Sequence, residues 1–318
     1  MKNKKIYIAG HKGMVGSAIL RKFSSEGNDN FVLRSLEELD LRRQNEVEKF
    51  FRKEKPEAVI LAAAKVGGIL PNNKYRAEFL YDNLMIEANI INEAFKNRVE
   101  KLIFLGSSCI YPKLAPQPLK EEYLLSDYLE YTNEPYAIAK IAGIKLCESY
   151  YKQYECNYFS IMPTNLYGYY DNFDLESSHV LPALMRKFHE AKINNDDKVK
   201  IWGTGKPYRE FMFVDDLADA VYFLFNKINA EDLYGNNLTH INIGTGEDIS
   251  IAELSKMIKR ITGFNGEIVY DSSKPDGTPK KLLDVSRLHK FGWKHKTNLE
   301  EGIKLTYNWY LDNYVKNL

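Results

Sequence analysis

Cysteine is scarce in this 318-residue chain, which has only Cys109, Cys147 and Cys156. An odd and sparse set builds no disulfide framework and suits a reducing cytoplasm. Net charge is also scarce: 44 basic side chains offset 43 acidic ones, leaving +1. No global field therefore draws in nucleic acid or an acidic membrane, and anion binding must come from local groups. Long apolar runs are missing too. Ala58-Val59-Ile60-Leu61-Ala62-Ala63-Ala64 is among the longest, far short of the roughly 18 residues of a membrane span. The apolar run that begins at Ile6 is too short for the core of a signal peptide and reads as a first strand. No His, Cys, Asp or Glu cluster has metal-ligand spacing. What remains is a cytoplasmic globular protein with one large domain or two closely joined ones.

The first half alternates short apolar runs with helical patterns. Ile6–Ala9, Phe31–Leu33, Ala58–Leu61, Leu102–Leu105 and Tyr158–Met162 read as strands. Between them, 14–26, 44–53, 73–97 and 136–154 read as helices. Continuous apolar strands alternating with helices predict an α/β fold: a Rossmann-type, doubly wound parallel sheet with helices on both faces. After Pro163 the pattern loosens into a smaller C-terminal α/β lobe. Helices are expected at 179–192, 215–226 and 298–313, and strands at 198–202, 240–244 and 267–271. Ser250 and Glu253 form a capping box that opens a helix ending near Gly263. The expected division is 1–165 for a dinucleotide-binding domain and 166–318 mainly for substrate, with some segments returning to the first domain.

Gly10-x-x-Gly13-x-x-Gly16 follows the first strand and opens the first helix, through Met14 and Val15. Glycines there allow a tight turn and close backbone approach to a pyrophosphate, which the helix N-terminus attracts. At the end of the second strand, Arg34 stands where NAD-binding chains usually carry a carboxylate, and Lys12 lies in the glycine turn. Two cations favour a 2′-phosphate, hence NADP(H); as plain solvated charges they would favour nothing.

Tyr136 and Lys140 lie four residues apart, so a helix puts both on one face. A neighbouring ammonium favours phenolate, and the pair is expected to lower the Tyr136 pKa from about 10. Upstream, Ser107 offers a hydroxyl to hold a carbonyl oxygen. Cys109 lies two residues beyond it, at a strand's C-terminal end, where doubly wound folds bind ligands. Cys147 and Cys156 read as core. His189, His289 and His295 read as surface or turn residues, His240 as part of a strand, and His179 as a helix-opening residue. Arg209 suits either an ion pair with Glu210 or a diphosphate clamp. Trp202 suits either a core or a base stack.

Together these motifs resemble the extended short-chain dehydrogenase/reductases and, within them, the GDP-L-fucose synthase family. Residues 9–18 and Ala62-Ala63-Ala64-Lys65-Val66-Gly67-Gly68-Ile69 carry the likeness. So do Leu105-Gly106-Ser107-Ser108-Cys109-Ile110-Tyr111-Pro112, Met162-Pro163-Thr164-Asn165-Leu166-Tyr167-Gly168, Arg209-Glu210-Phe211 and Lys274-Pro275-Asp276-Gly277-Thr278-Pro279. The resemblance implies an NADPH-dependent enzyme that epimerises GDP-4-keto-6-deoxy-D-mannose at C3 and C5 and then reduces its C4 ketone. It implies Ser107, Tyr136 and Lys140 as a reductase triad and Cys109 with His179 as an epimerase pair. The glycine turn, Arg34, Asp40, Leu41, Ala63, Leu105, Gly106, Ser108 and Pro163 to Leu166 would meet the cofactor. Lys187, Trp202, Arg209 and Asp276 would meet the GDP-sugar. A homodimer through a four-helix bundle is expected, as in relatives. Rival readings are a C4-reductase of a related GDP-4-keto heptose and an epimerase that recycles bound NAD. Two positions depart from the family: Tyr169-Tyr170 where a Pro is common, and Leu36 where some relatives have a basic residue.

Overall fold

The computed structural model describes residues 3–274 and 276–317. The expected first strands and helices form in order: β1 (Ile6–Ala9), α1 (Met14–Ser25), β2 (Phe31–Val32), α2 (Gln44–Glu54) and β3 (Ala58–Leu61). The helix expected over 73–97 forms as α4 (Arg76–Lys96), and a short helix that was not expected, α3 (Ile69–Lys74), precedes it and ends at Tyr75. Then come β4 (Lys101–Leu105), α5 (Glu134–Tyr154) and β5 (Tyr158–Pro163).

Beyond β5 the chain forms β6 (Asn165–Tyr167), α6 (Val180–Asn194), β7 (Lys198–Trp202), β8 (Tyr208–Phe213), α7 (Val214–Lys227), α8 (Ala230–Tyr234) and β9 (Ile241–Ile243). It ends with β10 (Asp248–Ser250), α9 (Ile251–Thr262), β11 (Glu267–Asp271), β12 (Lys280–Lys281), α10 (Ser286–Lys290) and α11 (Leu299–Asn313). Strands β6, β8, β10 and β12 and helices α8 and α10 carry no clear periodicity in the sequence.

The main sheet is parallel throughout, with order β2-β1-β3-β4-β5-β9. Successive residues of each strand point to opposite faces, so both faces are apolar. Ile6, Ile8, Ile60, Ile103 and Ile161 pack with α1 and α7 on one side. Tyr7, Val59, Leu61, Leu102 and Phe104 pack with α2, α4 and α5 on the other. Strand order reverses between β1 and β3, the switch point where such sheets open a crevice at their carboxyl ends. Strand β9 returns from the second half to the sheet edge. The other strands of that half form two smaller sheets, β11-β7 and one centred on β8. No helix among the described residues is long and apolar enough to cross a membrane.

Candidate active site

The glycine turn sits at the switch point. Gly10 has φ +85, and a Cβ there would lie 2.9 Å from the backbone of Ala63 on the neighbouring strand's exit. A Cβ on Gly16 would lie 2.1 Å from the Gly10 carbonyl oxygen, so only glycine lets α1 start this close to the turn. Gly13 is different. Its Cβ position lies 3.5 Å from the same oxygen, an ordinary contact, so packing does not demand glycine there. Gly13 is the residue before α1, and no side chain caps that helix. Bare amides behind a residue without a side chain fit a pyrophosphate, and this cradle can hold a dinucleotide.

The cations around it are not equivalent. Lys12 is exposed in the turn. Arg34, read from the sequence as an open cation, is already engaged: Nη2 lies 2.7 Å from Glu54 Oε1 and Nη1 donates to the Leu33 carbonyl. Asp40 accepts from Arg42 Nε at 2.8 Å and from the Arg42 amide. The Leu41 side chain is in the core, and its carbonyl accepts from Asn89. Leu36 is 65% exposed.

The reaction end of the crevice lies where β4 stops. The Met162 thioether fills the space beside Gly106, where a Cβ would lie 2.2 Å from the thioether's methyl carbon. Ser107 then opens a single 3₁₀ turn through Ser108 to Ile110, and its Oγ accepts from the Cys109 amide at 3.4 Å. Across from it, Pro135 near the start of α5 sets the register that puts Tyr136 and Lys140 on one face. Lys140 Nζ donates to the Leu105 carbonyl at 3.1 Å and lies 3.0 Å from Glu87 Oε1. It also faces the Phe104 ring at 4.7 Å and lies 5.7 Å from the Tyr136 ring centroid.

Here the structure corrects the sequence reading of the phenol. The Lys140 charge is taken up by Glu87 and a carbonyl. The Tyr136 pKa is pushed well above its usual value, by burial first and then by Cys109 and Glu87. A lowered Tyr136 pKa is thus not a property of this arrangement. Burial also pushes the Cys109 thiol up, while Lys281 and the Ser107 hydroxyl pull it down.

Loop packing brings the second lobe over this end. Asn83 on α4 pins the loop after β3, accepting from the Lys65 amide and donating to its carbonyl. The Gly68 amide then donates to the Ser177 carbonyl at 3.0 Å, and a Cβ on Gly68 would come within 2.7 Å of the Ser178 carbonyl oxygen. His179 follows directly, exposed at the start of α6. Its imidazole pKa is lowered, by the surrounding protein first and by the Lys281 charge second. Thr164 and Asn165, just past Pro163, both donate to the Glu210 carbonyl and tie the end of β5 to β8. Leu166 continues into β6 against the main core.

Lys187 and Lys274 lie over the half-exposed Trp202 ring, at 5.3 and 5.6 Å. Asp276 accepts from the Thr204 amide and hydroxyl at 2.6 and 2.8 Å. Pro275, beside it, lies outside the described residues. Arg209 makes no ion pair with Glu210. Its Nη1 donates to the Tyr208 carbonyl, and its pKa is lowered by burial. Lys281 of β12 lies near enough to Cys109, His179 and Arg209 to act on all three. The Arg209 and Lys281 cations, with two lysines over the Trp202 ring, are groups that suit a nucleotide diphosphate.

Three residues of this region were not singled out from the sequence: Glu87, Glu210 as a buried acceptor, and Lys281. Glu87 and Lys281 sit in no motif, Glu210 sits in one only as a possible partner of Arg209, and only the pairing of distant segments gives the three their roles. Cys147 is fully buried, as expected, whereas Cys156 is only partly so. His189 departs from its surface reading: it is buried, with Nδ1 3.0 Å from the Tyr307 hydroxyl. His240 is buried against Tyr111 and Thr239, and burial pushes it down to about 3.

With this geometry in view, the chain can be set beside known proteins. Residues 6–244 match the NAD dependent epimerase/dehydratase family. The chain is 55% identical over 317 residues to the GDP-L-fucose synthase of Escherichia coli K12, covering 98% of each protein. It is 55% identical over 312 residues to GDP-L-fucose synthase 1 of Arabidopsis thaliana, covering 98% of this chain and 94% of that protein. Among solved structures, a GDP-mannoheptose C4 reductase from Campylobacter jejuni with NADP bound superposes with a TM-score of 0.90 at 46% identity, covering 98% of this chain and 99% of that one. A glycine cradle at the switch point, a Ser/Tyr/Lys face beside it and likeness along the whole chain agree: the chain belongs to the NAD dependent epimerase/dehydratase family and, within it, to the GDP-L-fucose synthase family.

Proposed function

We propose that this protein is an NADPH-dependent C3/C5 epimerase and C4-ketoreductase that converts GDP-4-keto-6-deoxy-D-mannose to GDP-L-fucose. The observation that carries this reading is 55% identity to GDP-L-fucose synthases along essentially the full chain. The cradle of Gly10, Gly13 and Gly16 with Met14 and Val15 holds the cofactor's pyrophosphate, Lys12 and Arg34 its 2′-phosphate, and residues 163–166 the nicotinamide end. When bound, NADPH supplies the hydride that reduces the C4 ketone.

The C4 ketone acidifies the protons on C3 and C5, because either carbanion delocalises into an enolate. Cys109 takes a proton from one face and His179 returns one to the other. A thiolate is costly in this buried position, and the Lys281 cation offsets part of that cost. Ser107 and Tyr136 hold the enolate oxygen, and the same two groups hold the ketone during reduction. Tyr136 then protonates the alkoxide, with Lys140 beneath it. Arg209 and Lys281 clamp the diphosphate, Trp202 with Lys187 holds the guanine, and Asp276, which also accepts from Thr204, meets the GDP-sugar.

In the same reading, residues 1–165 work as the cofactor domain and 166–318 mainly as the substrate lobe. The enzyme works in the cytoplasm as a homodimer through α4 and α5; exposed Tyr81 on α4 and Ile138 on α5 support that face. A second reading, reduction of a GDP-4-keto heptose, draws support from the heptose reductase structure at 46% identity.

Product NMR after incubation with NADPH and each GDP-4-keto sugar separates the two. GDP-L-fucose is the expected product, and turnover confined to a heptose substrate overturns the main reading. In D₂O, Cys109→Ser is expected to block deuterium entry at C3 and C5 while sparing reduction of an already epimerised ketone. Persistent exchange removes Cys109 as the base.

A further inference from the structure

Glu87 lies one helix away from any sequence motif, yet it is 1% exposed and shares the floor of the site with Lys140, itself 2% exposed. Its Oε1 lies 3.0 Å from Lys140 Nζ. Among the described residues, no other group donates a hydrogen bond to either carboxylate oxygen. The approach is built into the packing of α4 on α5. Gly143, one turn after Lys140, faces this carboxylate, and a Cβ there would meet Glu87 Oε2 at 2.8 Å and the Phe104 ring at 2.4 Å. A buried carboxylate with a single cationic partner is costly where only structure is served, because its remaining acceptor sites go unfilled.

We propose that Glu87 is a positioning residue of the reductase: it anchors Lys140 beneath Tyr136 and sets the net charge under the phenol. The inference rests on the proposed role of Tyr136 as proton donor. Lys140 has two fixed partners, the Leu105 carbonyl and Glu87, and these hold its Nζ between Phe104 and the Tyr136 ring. Among the described residues, the only charged group acting on Glu87 is Lys140. Glu87 in turn acts on two groups of α5, Tyr136 and Cys147, and Cys109 also acts on Tyr136 from the 3₁₀ turn.

Burial pushes the Glu87 carboxyl up to about 7, with Lys140 pulling it down. Protonated, it leaves the Lys140 charge uncompensated below the phenol and makes Tyr136 a stronger acid. Ionised, it cancels that charge and weakens the acid. Reduction is therefore expected to slow as pH rises through about 7, by a group that never touches the substrate.

The test is the pH profile of kcat for NADPH oxidation with the 4-keto sugar, for wild type, Glu87→Gln and Glu87→Asp, with Tyr136→Phe as reference. Glu87→Gln is expected to remove the fall in kcat near pH 7 with less than about a twofold change in KM; Glu87→Asp is expected to retain a fall there. An unchanged profile in Glu87→Gln overturns the inference. So does a loss that is equal at every pH, which marks a merely structural role. If Tyr136→Phe itself keeps full turnover, the failure belongs to the reading of the site and not to Glu87.

Discussion

Glu87 and Glu210 are both carboxylates sealed inside this protein, and they are treated in opposite ways. Glu210, 0% exposed on β8, is saturated: Oε1 accepts from the Thr245 and Gly246 amides at 2.6 and 2.8 Å, and Oε2 from the Leu283 amide at 2.9 Å. It joins the segment after β9 to the one after β12, and so aligns Lys281 and Arg209 with the main sheet. Glu87 has one cation and, among the described residues, no other donor. Burial raises both pKa values. In Glu210 the backbone donors oppose that rise, and the carboxylate is a structural knot. In Glu87 only Lys140 opposes it, which leaves a group able to titrate in the working range. Glu210 thus holds three backbone amides in place, whereas Glu87 has only the side chain of Lys140 to hold.

That contrast can be broken at its chemical side first. Tyr136→Phe removes the proton donor above Lys140 and is expected to lower NADPH oxidation by about 10³-fold while leaving NADPH binding intact; stopped-flow turnover with a parallel fluorescence titration measures both. At the structural side, Glu210→Gln must point an NH₂ at one of three backbone donors. The expected cost is about 1–3 kcal/mol in urea unfolding, with no change in the pH profile of kcat.

The pH dependence of stability sharpens the same comparison. Glu87 moves from 4.5 unfolded to about 7 folded. A raised folded-state pKa means the folded state holds the proton more tightly. The stabilisation is complete below about 4.5 and is lost as pH rises through about 7. Glu87→Gln is expected to shallow the fall in urea midpoint between pH 5 and 7.5, and Asp171, also pushed up to about 7 by burial, maintains the remainder. The smallest effect concerns the cofactor end. NADPH is expected to bind more tightly than NADH. Arg34→Ala should narrow that gap by no more than about tenfold, or 1.4 kcal/mol, because Arg34 must first leave Glu54. Equal affinities in the wild type remove Arg34 and Lys12 as phosphate ligands.

Much of the architecture was legible beforehand. The bounds of β7 and β11 match the sequence reading, and the Ser250–Glu253 capping box forms with Gly263 in the left-handed conformation beyond α9. The short helix α3 was not legible, because its six residues span less than two turns and carry Pro71, while its Asn72 serves the loop at Gly67 and Gly68. Strand β8 was missed for a related reason. It is the centre of a sheet whose partners β6, β10 and β12 are two or three residues long, too short to register a period. At the site, motif residues were legible as types, but their electrical state was not. Tyr136 and Lys140 do share a helix face, yet Glu87 and Cys109, which push the phenol the other way, come from elsewhere in the chain.

The sequence by itself determined the alternation of strand and helix, the glycine turn and the helix caps, because each depends on interactions within a few residues. Only the tertiary structure decided which carboxylate meets Lys140, which cation meets Cys109 and His179, and which amides satisfy Glu210. Those contacts depend on how α4 lies on α5 and how β12 pairs with β8, and their energies come from burial, which no local pattern encodes.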